Sequence, residues 1–392
     1  MKHSTQRILT THTGSLSRPK DLLEMIRRRE SGQDYDTAAL DKRLGEAVNE
    51  VVRQQADSGI DIVTDGEFSK PSFSTYVTSR LSGFGGVATA PLSGGGGMFA
   101  NWPDYVPWRA ELMGAQVGGA QPGIPECTAP LGWRDFDAVL ADISRLKDAL
   151  KGVQVEEAFL PAASIGIIAQ RTANSYYKDY EEYVYAIAGA MHDEYKAIAD
   201  AGFIVQIDAP EMVMDRNNNQ FRDRPIEEYK KARAELWVEA LNSALADIPE
   251  EQVRFHICWG NQEGPHDIDV PLKDIVDVML KVNAGAYSVE ACNPQHAHEW
   301  KVWKDVKLPD GKILIPGVID STTNYVEHPE LVADRIETFA NLVGKENVIA
   351  GTDCGFGTIA FRRDAVYPPL IWAKFKAMAE GAAIATRRLW GR

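Results

Sequence analysis

Eight short runs rich in apolar and β-branched residues recur along this chain, separated by longer amphipathic stretches. That alternation constrains the fold more than any other feature. The runs are Arg7 to Ser15, Gly59 to Glu67, Val153 to Ser164, Gly202 to Pro210, Val253 to Asn261, Ala286 to Pro294, Lys312 to Asp320 and Asn347 to Gly355. Each opens apolar and closes on polar or small residues. Between them, DKRLGEAVNEVVRQQADSG and YEEYVYAIAGAMHDEYKAIADAG place apolar residues at helical spacing and end on Gly59 and Gly202, which suit helix C-termini. HPELVADRIETFANLVGKEN does the same before the last run. Strands alternating with helices imply βαβ units and a parallel sheet. Eight of them predict a (β/α)8 TIM barrel, with a doubly wound open sheet as the alternative.

One region breaks the rhythm. From about residue 81 to 130, after the second strand, the chain is rich in Gly, Pro and Trp, including PLSGGGGMFANWPDYVPW. A connection of that length reads as a binding segment or lid, or as a flexible insertion or oligomer contact. No internal repeat or clean linker divides the chain, so residues 1–392 read as one catalytic barrel carrying that insertion.

Bulk properties narrow the partners. The net charge of −14 argues against nucleic acid or an anionic membrane surface. No apolar run reaches the roughly 20 residues of a membrane span. The N-terminal stretch lacks the apolar core of a signal peptide, which predicts a cytoplasmic protein. Four cysteines, Cys127, Cys258, Cys292 and Cys354, are too few and scattered for a disulfide scaffold.

In such a barrel the chemistry gathers at the C-terminal ends of the strands. Those ends carry His12 and Ser15, Asp65 and Glu67, Asp208, His256 and Cys258, Glu290 and Cys292, Asp320, and Asp353 and Cys354. Side chains two apart on a strand share a face, so His256 and Cys258 point together and Ile257 points away. A lone His-x-Cys is most often buried core. Here Glu290 and Cys354 lie at neighbouring strand ends, and imidazole, thiolate and carboxylate are zinc-ligand types. A thiolate-containing site suits binding and activating a substrate thiol, whereas zinc hydrolases favour His- and carboxylate-rich sites.

With TTHTGS, TDGE, QIDAP, HICWGN, SVEAC, GVIDSTTNYVEHPELVADRI and GTDCGFGT in that order, the chain resembles the catalytic barrel of cobalamin-independent methionine synthase. It is similar also to single-barrel relatives such as the epoxyalkane:coenzyme M transferases. The resemblance implies Zn2+ held by His256, Cys258, Glu290 and Cys354, with Cys292 a bystander. It implies Ser15 for the carboxylate of an amino-acid thiol, and Glu67 and Asp208 for its amino group. The implied reaction is methyl transfer to homocysteine from a small methyl donor such as a folate. The alternative is addition of coenzyme M to an epoxide, with Arg18, Arg80 or Arg171 gripping the sulfonate. A vestigial barrel acting as a binding protein and a metal-free decarboxylase barrel are readings from other classes. Thr322 stands where the family has a histidine that protonates the leaving folate, and His328 lies further on. Trp102, Trp108 and Trp259 are candidates for stacking on a pteridine ring. A homo-oligomer built on the Trp-rich segment is a further expectation.

Overall fold

The computed structural model describes residues 1–88, 99–112, 123–218, 221–362 and 364–391. Its strands are β1 Leu9–Thr10, β2 Ile62–Val63, β3 Leu81–Ala88, β4 Ile124–Trp133, β5 Glu157–Ala163, β6 Ala173–Asn174, β7 Ile204–Asp208, β8 Val253–Ile257, β9 Ala286–Val289, β10 Ile313–Ile319 and β11 Ile349–Thr352. Eight of these form one parallel sheet in the order β1-β11-β10-β9-β8-β7-β5-β2. All eight predicted runs contain one of its strands. Between β1 and β2 the Asp61 N–H donates to Thr10 O at 3.1 Å, and Thr11 Oγ1 donates to Ile62 O at 3.1 Å. The sheet therefore curls into a nearly closed (β/α)8 barrel rather than an open doubly wound sheet.

The helices form where the periodicity places them. Thr37–Asp57 starts at Asp36, whose carboxylate accepts from the Ala39 N–H, and buries Leu40, Leu44, Val48 and Val51 on one face. Each such buried side chain contributes about 1.5–3 kcal/mol. Gly59 and Gly202 follow their helices with φ of 83° and 85°, a left-handed turn that favours glycine. Among the described residues, no helix is long and apolar enough to cross a membrane.

Inside the barrel, Leu9, Ile62, Phe159, Ile204, Ile313 and Ile349 form an apolar plug at the N-terminal end. Arg254 lies above it, with its guanidinium 3.7 Å from the Phe159 ring centroid. That guanidinium donates to Gln206 Oε1, Thr11 Oγ1 and His12 O. Gln206 in turn donates to Asp208 Oδ1 at 2.7 Å and to Thr13 O. A polar layer thus separates the plug from the mouth and fixes the ends of β1 and β7.

The predicted 81–130 segment is more regular than a loop at its two ends. There β3 and β4 pair as an antiparallel hairpin, Leu81 opposite Trp133, and β4 also pairs with β6. Residues 89–98 and 113–122 of this segment lie outside the described residues. Its short helix Tyr105–Leu112 sits over the loop after β8: Trp102 Nε1 donates to Asp267 at 2.9 Å and Arg109 pairs with Glu263 at 3.1 Å.

Candidate metal and thiol site

The parallel register brings four strand ends together. β7 and β8 pair Asp208 with His256, and β8 and β9 pair His256 with Ser288. Cys258 follows β8, Glu290 follows β9, and Cys354 lies two residues past the end of β11. His256, Cys258 and Cys354 are buried, and one ligand atom from each lies within 4.8 Å of the other two. His256 Nδ1 is 3.3 Å from Ser288 Oγ. Its Nε2 is buried with no hydrogen-bond partner. A buried ring nitrogen without a partner is costly and marks a place for a ligand.

The two thiols are pushed in opposite directions. Donation from Cys354, opposed by burial and helped by His256, holds Cys258 well below the usual thiol range. The Cys258 contact and burial push Cys354 well above it. A cation between them would let both ionise.

Glu290 lies outside the 4.8 Å group. Its Oε1 accepts the Trp259 N–H at 2.8 Å and its Oε2 accepts from Asn293 Nδ2 at 2.8 Å. Burial, then the Cys258 charge, pushes its carboxyl well above the ordinary range, so it belongs to the same electrostatic cluster. Asp353 holds this corner. Its Oδ1 accepts from Ala291 N and Cys292 N, and its Oδ2 accepts from Asn293 N and the Cys292 thiol. Cys292 is thereby tied to Asp353 and away from the other two sulfurs.

The residues expected to hold an amino acid lie on the same rim. Ser15 is buried against the backbone beyond Cys354: a Cβ added at Gly355 would sit 2.0 Å from Ser15 Oγ. Glu67 has φ of 60°, and its Oε2 is buried and unpartnered. Burial raises Glu67 from 4.5 to about 7, against the pull of Lys70 and Arg18. Burial, then Glu67, then Cys258 raise Asp208 well above the ordinary range. Two buried carboxyls, one of them raised by the other and by Cys258, would be eased by a further positive charge.

Two of the three arginine candidates are bound to protein groups. Arg18 donates to Gly357 O, Glu67 O and Lys70 O. Arg80 pairs with Asp142 at 2.7 Å. Arg171 is exposed at the end of the helix Ile165–Arg171. Thr322 donates its N–H and hydroxyl to Asp320 Oδ1. His328 caps the helix Pro329–Val343 by accepting from Glu330 N. Trp102 and Trp108 are exposed on the insertion, whereas Trp259 is buried with the His296 ring stacked on it.

Some functional-looking residues had no readable signal. Asn261 donates to Gly355 O and Thr358 and accepts from Ser321, which ties three rim loops together. Asp353 was visible at a strand end, but nothing in its spacing revealed its reach to the loop after β9.

Comparison with known proteins gives the family and the fold. Residues 168–367 match the sequence family described as "Cobalamin-independent synthase, Catalytic domain", a span that includes Asp208 and the four expected metal ligands. The methionine synthase of Thermococcus kodakarensis is 25% identical over 387 residues, covering 97% of this chain and 94% of its own. That of Sulfolobus acidocaldarius is 24% identical over 349 residues, covering 88% and 85%. Among solved structures, a B12-independent methionine synthase from Shewanella sp. W3-18-1, in complex with selenomethionine, shares the fold. Its TM-score is 0.71 at 18% identity, over 98% of this chain and 100% of that one. A putative B12-independent methionine synthase from Listeria monocytogenes superposes with a TM-score of 0.63 at 17% identity, over 98% and 100%. With the family match covering more than half its length, the chain belongs to the cobalamin-independent synthase catalytic-domain family.

Proposed function

We propose that this protein is a zinc-dependent thiol S-alkyltransferase whose principal reaction is methyl transfer to the sulfur of homocysteine. The observation that carries the proposal is the buried His256, Cys258 and Cys354 group, with His256 Nε2 unpartnered. Those donor types suit zinc, and Glu290 completes the set as the fourth expected ligand. The curated relatives named methionine synthase support the same reading. We take residues 1–392, the 81–130 insertion included, as one catalytic unit.

Zinc held by these residues would supply the positive charge that keeps an incoming thiol ionised at neutral pH. The chain's own residues do the rest. Glu67 and Asp208 receive the substrate ammonium, which offsets the burial of both carboxylates. Ser15, beside Gly355, contributes a hydroxyl to the substrate carboxylate. The sulfur is thereby aimed at the methyl carbon. The new S–C bond forms as the donor's bond to that carbon breaks, and the electron pair leaves with the donor.

The pair Glu67 and Asp208 favours an amino-acid thiol over a sulfonate such as coenzyme M: Arg18 and Arg80 already bind protein groups, and Arg171 is exposed at a helix end. His328 is engaged as a helix cap, through Nδ1 accepting from Glu330 N, and Thr322 is bound to Asp320, so neither is set up as an acid for the donor's leaving group. A donor that leaves without an acid catalyst, or one protonated from elsewhere, fits this loop better than a folate assisted by His328. The test is product analysis with homocysteine and a panel of methyl donors, methyltetrahydrofolate included, beside coenzyme M with a short epoxide. Methionine formed by wild type and lost in Cys258→Ser supports the proposal. Turnover confined to coenzyme M and epoxide would overturn it.

A further inference from the structure

A second polar chain runs through the loops after β8 and β9. His266 Nδ1 is 2.6 Å from Asp269 Oδ2, and its Nε2 is 2.9 Å from Gln262 O. His296 Nε2 is 3.1 Å from the same Asp269 oxygen, and its Nδ1 is 2.9 Å from Glu299 Oε2. The other Glu299 oxygen accepts the Leu272 N–H at 2.7 Å. The side chains of His296, Asp269 and Glu299 are all buried. A carboxylate can only accept, so an imidazole with one on each ring nitrogen donates from both and is a cation. Burial opposes that charge, and the bonds to Asp269 and Glu299 outweigh it, pushing His296 up to about 9.

This cation lies nearly flat on Trp259, with ring centroids 4.1 Å apart and planes at 27°. A cation over an indole face is attracted by the ring quadrupole, more strongly when water is excluded. Trp259 is held elsewhere as well. Its indole N–H donates to Val270 O at 2.7 Å, and its backbone N–H donates to Glu290 Oε1 at 2.8 Å. Cys258 is its chain neighbour. One buried ring therefore connects the charged chain to the backbone that presents both Cys258 and a donor to Glu290. His266, at the outer end, keeps a left-handed φ of 52°. That is unusual for a residue with a side chain and persists where both ring nitrogens are anchored.

The same cluster has donors spaced for a cation: His266, Asp269 and His296 offer atoms within 4.8 Å of one another. The ring nitrogens of His266 and His296 and Asp269 Oδ2 already have hydrogen-bond partners, whereas His256 Nε2 has none. The contrast assigns a proton-bridged network here and a metal at His256.

We propose that His266, Asp269, His296 and Glu299 form a positioning cluster for the metal and thiol site, fixing Trp259 and, through its backbone, Cys258 and Glu290. The inference rests on the zinc reading given under the proposed function. Groups that orient first ligands from behind typically change metal affinity by about 10- to 100-fold when removed.

The experiment uses the full chain and zinc or cobalt(II) as the probe. Wild type, His296→Gln, Asp269→Asn and the exposed control His298→Gln are compared by chelator competition for zinc and by the visible spectrum of the cobalt form. His296→Gln and Asp269→Asn are expected to weaken zinc by about 10-fold or more and to shift the thiolate-to-cobalt bands. His298→Gln is expected to change neither. If His296→Gln does not fold, His266→Gln at the part-exposed outer end carries the same test with a smaller loss. Wild-type affinity and spectrum in the cluster variants would overturn this inference alone and leave the zinc reading standing. A second metal equivalent in wild type, lost in Asp269→Asn, would make the cluster a metal site and overturn it too. A wild type that takes up no metal would remove the zinc reading and this inference together.

Discussion

Replacing Glu67 with Gln should separate what this side chain costs the fold from what it gives the substrate. Burial raises its carboxyl from 4.5 to about 7, and one oxygen is buried without a partner. Between those values the folded chain holds a proton that the unfolded chain has released. Stability contributed by that proton is complete below about pH 4.5 and is lost as pH rises towards 7. At 1.36 kcal/mol per pH unit, the ionised carboxylate costs the ligand-free protein about 3 kcal/mol at pH 8. Glu67→Gln removes that cost without changing shape. For a chain of this length, about 3 kcal/mol corresponds to roughly 4 °C in melting temperature. The variant is therefore expected to melt about 4 °C higher than wild type at pH 8 and at nearly the same temperature at pH 4.5. The same change removes a carboxylate proposed to hold the substrate ammonium. Homocysteine or methionine should raise the melting temperature of wild type at pH 8 and do so much less in the variant. Thermal melts at the two pH values, with and without ligand, check all of this. A variant no more stable than wild type at pH 8, yet equally stabilised by homocysteine, would refute the reasoning.

Two further substitutions probe the rim. Gly355→Ala puts a methyl carbon 2.0 Å from Ser15 Oγ. Such overpacking should cost about 1–3 kcal/mol and raise the KM for homocysteine as Ser15 is displaced, both readable from melts and steady-state kinetics. His328→Ala removes a side-chain cap from the helix Pro329–Val343. The expected loss is about 1 kcal/mol of stability with kcat unchanged. A collapse of kcat would instead assign His328 a proton-transfer role.

The barrel was legible because each of its strands is a local apolar run with a polar end, and three of its long helices carry their own period, two of them with a stop signal at Gly59 and Gly202; the helix Pro368–Trp390 was not read from the sequence. The trio of His256, Cys258 and Cys354 was legible for a related reason: parallel strands in register place their ends on one rim, so position along the chain predicts neighbourhood in space. What escaped depends on side-chain direction. Glu290 lies at its expected strand end, yet its oxygens face Trp259 N and Asn293. Asp353 reaches back across the sheet to three backbone N–H groups, and no spacing rule encodes that. The 81–130 segment was read from composition alone, which could not show that its two ends pair as strands. The charged chain from His266 to Glu299 was invisible because its two halves lie on different loops and meet only once β8 and β9 are side by side.

The central claim is that the buried His256, Cys258 and Cys354 group holds zinc. It is tested most directly by metal content, measured by mass spectrometry on wild type and Cys258→Ser purified side by side without added metal. The account predicts about one zinc per chain in wild type and its loss in Cys258→Ser, with the barrel still folded by circular dichroism. No metal in wild type even after zinc is restored, or a full equivalent retained by Cys258→Ser, would contradict it.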